Sequence, residues 1–265
     1  MPRQLQPDAI RLEYYKALVP FVREAWRAFA SVRGEILRLL ERERYHTGKQ
    51  DGANEDAAKA LIDRARALSV NELSKRRLEE TARKFGRRTS DFQREQLNKQ
   101  VEASMGVPLS SIEKPITAKI EAFTRENVDL IVTVQERFFD RLRDDVEDAF
   151  TQGMRPETLA ERFQSRDGMS ERDAMRIARD QIGKLNAQVN EERQKGMGVD
   201  SYIWRTVQDN RVRDSHDELD GQTFKWDDPP MGGGTGPDEA GHPGTGIQCR
   251  CYSEPVFDDI LAALE

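Results

Sequence analysis

Residues 229–251 of the chain read PPMGGGTGPDEAGHPGTGIQCRC. Eleven of the eighteen residues from 229 to 246 are glycine or proline, a composition that predicts a loop rather than a helix or a strand. Such a segment has little apolar surface to bury, so a metal ion bound by its side chains would add folding free energy. The sequence therefore predicts an irregular module near residue 240 whose shape depends on more than a hydrophobic core.

Four candidate metal ligands fall within 36 residues: His216, His242, Cys249 and Cys251. Two thiolates and two neutral imidazoles match a closed tetrahedral zinc site. Side chains two positions apart on a strand point the same way, so Cys249 and Cys251 can face one ion. We therefore expect a structural zinc ion held by these four residues.

Other interpretations of the same residues remain open. Cys249 and Cys251 are also consistent with reduced, partly buried thiols, and a disulfide between them would be strained because only Arg250 separates them. An enzyme hypothesis makes His216 a base or a ligand and a nearby aspartate a second ligand of a hydrolytic metal, as in a nuclease. Aspartates that form turns are the commoner explanation of the acidic residues around His216. The chain carries no P-loop, Rossmann, G-x-S-x-G or H-E-x-x-H motif.

The sequence on either side of the loop predicts a small sheet. Residues 202–207 alternate apolar and polar side chains, residues 223–226 are a second strand candidate after the turn signal Asp220-Gly221, and residues 249–256 are a third. A short helical tail is expected after them. Long helices followed by a small antiparallel sheet define an α+β fold class, mostly α-helical.

Apolar residues at helical spacing predict long amphipathic helices before residue 199. We expect Asn71 to cap one helix and Gly86 to end it, Asn127 to start another, and Pro156 to open a short one. The predicted helices cover residues 9–45, 55–68, 71–85, 90–105, 116–150, 156–163 and 170 to 196 or 198, with breaks at 47–52 and 106–111. These segments predict three regions: a helical N-terminal region 1–115, a helical segment 116–198 and an α+β module 199–265.

Composition and charge exclude several classes of protein. Two cysteines in 265 residues cannot form a disulfide scaffold, and neither a membrane span nor a secretory signal peptide is expected. The net charge of -6 is uneven, since residues 1–115 carry 23 basic and 17 acidic side chains and the remainder carries 19 and 31. A basic half suits a polyanion or an acidic protein surface, although solvated helix faces with mixed charges explain it equally well. Arg172, Arg176 and Arg179 share one helix face and are candidate partner-binding residues.

The C-terminal half resembles a known family through several motifs in a fixed order. They are IARDQ at 177–181, KLN at 184–186, WRTVQDNRVRDSH at 204–216, LDGQTF at 219–224, WDDPP at 226–230, HPG at 242–244, IQCRC at 247–251 and Glu254-Pro255. Over about residues 125–257 the chain is similar to the Mu F-like phage head morphogenesis family. Many of these relatives carry a Cys-x-x-Cys pair where this chain has Arg213 and His216, which leaves His216 to complete a metal site with His242, Cys249 and Cys251.

The resemblance implies a minor head protein of a tailed bacteriophage, a virion component rather than an enzyme. Such proteins enter the procapsid in few copies at the portal vertex and are linked to head assembly and to the handling or delivery of packaged DNA. The implied partners are the portal protein and the major capsid or scaffolding proteins, with phage DNA and self-association as further expectations. The implied location is the interior of the phage head near the portal, after assembly in the host cytoplasm. The alternative is a metal-dependent nuclease or hydrolase carried in the head.

Overall fold

The computed structural model describes residues 4–45, 52–106 and 116–257. Over these residues the chain is mostly helical, with a small antiparallel sheet toward its C-terminal end, so the predicted α+β fold class is confirmed. The elements are α1 Asp8–Tyr45, α2 Ala53–Ser69, α3 Glu72–Met105, α4 Thr117–Thr151, α5 Pro156–Ser165, α6 Met169–Gly196, β1 Ser201–Arg205, α7 Asp214–Glu218, β2 Thr223–Lys225 and β3 Tyr252–Pro255.

The long helices form where apolar residues recur every three to four positions. The predicted bounds of α1 and α2 are confirmed to within two residues, and Pro156 is the first residue of α5 as expected. The side chain of Asn71 caps α3, because its Oδ1 accepts a hydrogen bond of 2.9 Å from the backbone N–H of Ser74.

Two predicted helix boundaries are wrong. Gly86 does not end a helix but lies inside α3, where a Cβ atom would approach Ile120 to 3.1 Å and Phe123 to 3.3 Å. The glycine therefore allows α3 and α4 to pack closely at this point. Asn127 does not begin a helix either, since it is fully buried in the interior of α4.

The described chain divides into two compact units, and each combines distant segments. The first unit comprises residues 1–14, 82–125 and 178–265, and the second comprises residues 15–81 and 126–177. The predicted organisation into regions 1–115, 116–198 and 199–265 concerns which parts fold by themselves and stays a prediction.

The second unit is held by an aromatic core. The ring of Phe29, fully buried, meets that of Phe163 edge-on at 4.8 Å between centroids and that of Phe138 at 6.2 Å. In the same unit Arg166 forms a bidentate ion pair with Asp145, at 2.9 and 3.0 Å. This unit thus has its own core of fifteen buried apolar residues from α1, α2, α4 and α5.

The sheet of the first unit has the order β2-β1-β3, with both pairings antiparallel. On the central strand, Tyr202 and Trp204 are fully buried and pack with Trp226, Cys249 and Cys251. Asn190 of α6 donates a 2.8 Å hydrogen bond to the hydroxyl of Ser253 on β3, which ties the helix to the sheet. These contacts place both cysteines in the core of the module.

Some expectations concern parts of the chain outside the described residues. They are the break at 47–51, the link at 107–111 and the helical tail after 257. Among the helices that the structure describes, none has an apolar stretch long enough to cross a bilayer.

Candidate metal site

His216, Cys249 and Cys251 form one buried cluster. His216 lies on the single-turn helix α7, and the cysteines lie in the extended segment that leads into β3. The Nδ1 atom of His216 is 3.5 Å from the sulfur of Cys249 and 3.5 Å from the sulfur of Cys251. The three donor atoms all lie within 4.8 Å of one another. Within the described residues, this is the group of His, Cys, Asp and Glu side chains that is gathered closely enough to hold a metal ion.

The imidazole of His216 is oriented by a backbone carbonyl. Its Nε2 lies 2.9 Å from the carbonyl oxygen of Gly234, which can only accept a hydrogen bond, so Nε2 carries the proton. Nδ1 then presents its lone pair to the two sulfurs. A hydrogen bond from the other ring nitrogen, such as this one to Gly234, is typical of metal-binding histidines, because it fixes both the tautomer and the ring plane.

The glycines of the loop allow Gly234 to reach this position. A Cβ atom on Gly233 would lie 2.1 Å from the carbonyl oxygen of Gly241 and 3.0 Å from the ring of Trp204. A Cβ atom on Gly241 would lie 2.9 Å from the backbone of Gly234. Two backbone segments therefore touch directly here, and only glycine permits that approach.

A strained backbone positions Cys249. Gln248, the preceding residue, has a left-handed φ of 56°, which is uncommon for a residue with a side chain. Its N–H donates a 2.7 Å hydrogen bond to the carboxylate of Asp180 on α6, and the N–H of Cys249 closes a turn onto the carbonyl of Gly246 at 3.1 Å. These contacts hold the thiol of Cys249 toward His216 instead of toward solvent.

The cluster favours one thiolate. The hydrogen bond from Cys251 is the main cause that lowers the pKa of the Cys249 thiol, and the hydrogen bond with His216 acts in the same direction. The same interaction with Cys249, together with burial, raises the pKa of Cys251. Burial is the largest influence on His216 and lowers its pKa, but the hydrogen bond and the charge interaction with Cys249 outweigh it, so the pKa is raised. The protonation states of the three groups therefore depend on one another, and a metal ion bound by them would displace the thiol protons.

The geometry of the cluster fits zinc. A tetrahedral zinc ion bonds sulfur at about 2.3 Å and nitrogen at about 2.0–2.1 Å, which sets its sulfur and nitrogen ligands about 3.6 Å apart. The observed separation of 3.5 Å between Nδ1 of His216 and each sulfur agrees with that value. Two thiolates and one imidazole are also donors that zinc prefers. The set supplies three ligands and leaves one coordination position for another group.

His242, the fourth predicted ligand, is not part of the cluster, so the structure gathers three of the four predicted residues. Its Nδ1 shares a 2.8 Å hydrogen bond with the hydroxyl of Tyr202, and its ring lies 5.0 Å from that of Trp226. Burial among these rings lowers its pKa. The aromatic side of the sheet therefore holds His242 away from the thiols.

Two further predictions concern a disulfide and a partner-binding helix face. Cys249 and Cys251 are both free thiols, so there is no disulfide between them. The candidate partner-binding residues Arg172, Arg176 and Arg179 all lie on α6, and their role in binding stays a prediction.

Two of the aspartates near His216 have structural partners. Asp209 pairs with Arg250 through two contacts of 2.5 and 2.6 Å, and Asp220 accepts a 2.8 Å hydrogen bond from the N–H of Thr206. The Asp209–Arg250 pair was not predicted, since the partners are 41 residues apart and share no motif. The 3.0 Å hydrogen bond that Gln6 donates to the carbonyl of Arg250 was not predicted either, because 244 residues of sequence separate the two.

Comparison with known proteins finds a family and a bacterial relative. Residues 140–254 match the family described as Phage Mu protein F like protein. The chain is also 36% identical over 144 residues to a protein of Haemophilus influenzae Rd described as an uncharacterized protein; the match covers 54% of this chain. This chain spans 31% of that relative's length. No solved structure matches the chain.

The matched segment contains α7, all three clustered residues and the whole sheet except Pro255 at the end of β3. Residues 140–254 match the Mu F-like family of phage proteins, so the resemblance found in the motifs is confirmed over this segment.

Proposed function

We propose that the chain is a head morphogenesis protein of a tailed bacteriophage, a minor head protein that acts in procapsid assembly at the portal vertex and in the handling or delivery of packaged DNA. The observation that carries this proposal is the Mu F-like match over residues 140–254, which includes the cysteine–histidine cluster and all of the sheet but its last residue. In this role the protein is a structural component rather than an enzyme.

The surface of the helices supports protein partners over DNA. Leu68 at the end of α2 is 60% exposed and Leu73 at the start of α3 is 68% exposed, so the turn between these helices offers apolar side chains for docking. The net charge of -6 disfavours tight binding to nucleic acid. The proposed partners are the portal protein and the major capsid or scaffolding proteins, with phage DNA and other copies of the chain as secondary contacts.

The proposed location follows from these partners. The protein is made in the host cytoplasm and ends in the interior of the phage head near the portal. Residues 172, 176 and 179 on α6 are the proposed contact for an acidic partner surface or for phosphates.

The metal in this proposal is a structural zinc ion. His216, Cys249 and Cys251 would hold it, and it would connect α7, the glycine-rich loop and the start of β3. The support for zinc is the 3.5 Å spacing of the donors and the carbonyl of Gly234 behind the imidazole. A bound ion would stabilise a module whose loop buries little apolar surface.

Co-purification tests the assembly role. The tagged chain is expressed with the portal and capsid proteins of the same phage, and the heads are isolated by sedimentation. We expect the chain in the heads in few copies and the portal protein in the pull-down. Assembled heads that lack the chain, together with a pull-down that contains no portal protein, would contradict the proposal.

A second candidate function is a metal-dependent nuclease or hydrolase, and the open fourth coordination position favours it, because catalytic zinc keeps such a position. Asp209, one of the nearby aspartates that the hydrolase hypothesis offers as a second metal ligand, is instead paired with Arg250. An assay of zinc-loaded protein on duplex and single-stranded DNA decides between the two. The assembly role predicts no metal-dependent cleavage, whereas the hydrolase predicts turnover that His216→Ala abolishes.

A further inference from the structure

We propose that residues 4–7, which precede α1, form a strap that opens and closes over the cysteine segment 249–251, and that the side chain of Arg11 is its latch. Opening of this strap, rather than unfolding of the first unit, gives solutes access to the thiols of Cys249 and Cys251. The inference concerns the site of the proposed function, but it does not require a bound metal.

The strap is hydrogen-bonded directly to the cysteine segment. The side chain of Gln6 donates a 3.0 Å hydrogen bond to the carbonyl oxygen of Arg250, the residue between the two cysteines. The backbone N–H of Leu5 donates a 3.2 Å hydrogen bond to Oε1 of Gln96 on α3. Both bonds join neutral groups, so each contributes modestly to keeping the strap closed.

The strap, the latch and the cysteines share one narrow depression. Its lining includes Gln4, Gln6, Arg11, Cys249 and Cys251. The depression has room for about one water molecule, and each cysteine is only 6% exposed. A reagent larger than water therefore has no path to the sulfurs through this depression while the strap is closed.

A second depression that the cysteines line is covered by a more strongly held segment. Residues 207 and 211–213 form part of its lining. Asp209 ties that segment to Arg250 through two contacts of 2.5 and 2.6 Å between charged groups. Such bonds are about twice as strong as bonds between neutral groups. The strap is thus the weaker of the two covers.

The strap buries polar groups and exposes an apolar one. Gln4 and Arg11 are 4% and 6% exposed, whereas Leu5 is 58% exposed. Among the residues that the structure describes, none forms a hydrogen bond with Oε1 of Gln4 or with Nε of Arg11. A buried polar group without a partner costs free energy, and Pro7 is the one buried apolar residue of the strap that offsets this cost. Segments of this kind open locally at low free energy, so the strap opens before the rest of its unit.

Arg11 connects the strap to the start of α1. Its guanidinium donates hydrogen bonds of 3.2 Å to Oε1 of Gln6 and 2.9 Å to the carboxylate of Asp8. Gly183 on α6 leaves room for this group, since a Cβ there would lie 2.8 Å from Nη2 of Arg11 and 3.7 Å from the carbonyl oxygen of Cys249. Burial lowers the pKa of Arg11, which shows that this position disfavours its charge. Opening of the latch returns that charge to water.

Alkylation of the cysteines measures the opening. The chain has two cysteines, both in this segment, so the rate of reaction with iodoacetamide reports access to them alone. The rate is followed by mass spectrometry, with a chelator present, at increasing urea below the unfolding transition. Opening of the strap exposes little surface, so we expect a rate that hardly changes with urea. A rate that rises with the urea dependence of global unfolding would overturn the proposal, because the thiols would then react only in the unfolded chain.

Gly183→Ala should displace the latch without loosening the fold. The added methyl group meets the flexible end of the Arg11 side chain, which can move aside, and alanine is favoured over glycine inside a helix. We expect alkylation to be about tenfold faster, because a hydrogen bond to a charged group is lost, while the free energy of unfolding is unchanged or higher. The matched control is Gly34→Ala inside α1, where the added Cβ would meet a side chain at 3.9 Å. It should leave the alkylation rate unchanged.

Gln6→Ala tests the strap itself. It removes the hydrogen bond to Arg250 and should speed alkylation about two- to tenfold. The control Gln222→Ala removes a bond of the same kind, 2.6 Å long, to the carbonyl of Glu218, and should have no such effect. Rates equal to wild type in Gln6→Ala and Gly183→Ala, or equal acceleration in Gln6→Ala and Gln222→Ala, would overturn the strap. Failure of the zinc proposal would instead appear as a chain that binds no zinc, with these alkylation rates as predicted.

Discussion

The exchange Gly233→Ala tests how the glycine-rich loop supports the metal site. In the structure an added Cβ would lie 2.1 Å from the carbonyl oxygen of Gly241, about 1 Å inside normal contact. The neighbouring atom belongs to the backbone, so it cannot move aside as the end of a flexible side chain can. Overpacking of this kind costs about 1–3 kcal/mol, and we expect the upper end of that range.

The matched control is Gly236→Ala in the same loop. Its Cβ would meet the side chain of Glu239 at 3.7 Å, which is ordinary contact, and Gly236 is not among the glycines with positive φ. This change should be neutral or should stabilise the protein by about 0.4–1 kcal/mol, because alanine restricts the unfolded chain.

Thermal unfolding and metal titration measure both effects. A loss of about 3 kcal/mol corresponds to a fall of about 6–12 °C in Tm for a domain of this size. Because Gly234 supports the imidazole of His216 at 2.9 Å, Gly233→Ala should also weaken zinc binding about tenfold or more. Equal Tm and equal zinc affinity in the Gly233→Ala and Gly236→Ala variants would show that the close approach of Gly233 to Gly241 supports neither the fold nor the metal site.

Three further predictions concern other parts of the molecule. Phe29→Ala removes a fully buried ring from the aromatic core of the second unit and should lower the free energy of unfolding, measured in urea, by about 3–5 kcal/mol. Leu68→Ala, at a position 60% exposed, should change it by no more than about 0.5 kcal/mol. Equal losses in the two variants would contradict the assignment of this core. Hydrogen bonds from Arg250 lower the pKa of Asp209 below its unfolded value, so the pair stabilises the fold above about pH 4 and this stabilisation is lost as the pH falls further. In urea unfolding from pH 2 to 6, wild type should be more stable than Asp209→Asn near pH 6, and the difference should disappear in acid. A difference that stays constant with pH would be the contrary result. Removal of zinc by a chelator should lower Tm, by the equivalent of about 2.7 kcal/mol if free zinc was at a hundred times its Kd, and an unchanged Tm would argue against a structural ion.

The helices could be predicted because the signals for them are local. The apolar spacing of α1 and the capping side chain of Asn71 are each contained in a few neighbouring residues, and both are confirmed. The predicted helix end at Gly86 is wrong because this glycine serves a close contact with Ile120 and Phe123, which lie more than thirty residues away in the sequence. Local glycine propensity predicts a helix end, but packing between helices decides the outcome.

The candidate site could be predicted only in part for the same reason. The spacing of Cys249 and Cys251 places both thiols on one side of the chain, and His216 joins them. His242 was assigned to the site by residue type alone, whereas the hydroxyl of Tyr202 on β1 holds its imidazole elsewhere. The helix α7, with five residues, is too short to show any helical period, so its role in carrying His216 had no sequence signal.

We propose that three residues, and not four, hold one zinc ion. The zinc content of purified wild-type protein, measured beside His216→Ala, Cys251→Ala and His242→Ala, tests this proposal. We expect about one zinc ion per chain in wild type and in His242→Ala, and little zinc in the other two variants. Equal zinc content in all four proteins, or loss of zinc in His242→Ala to the same extent as in His216→Ala, would contradict the claim.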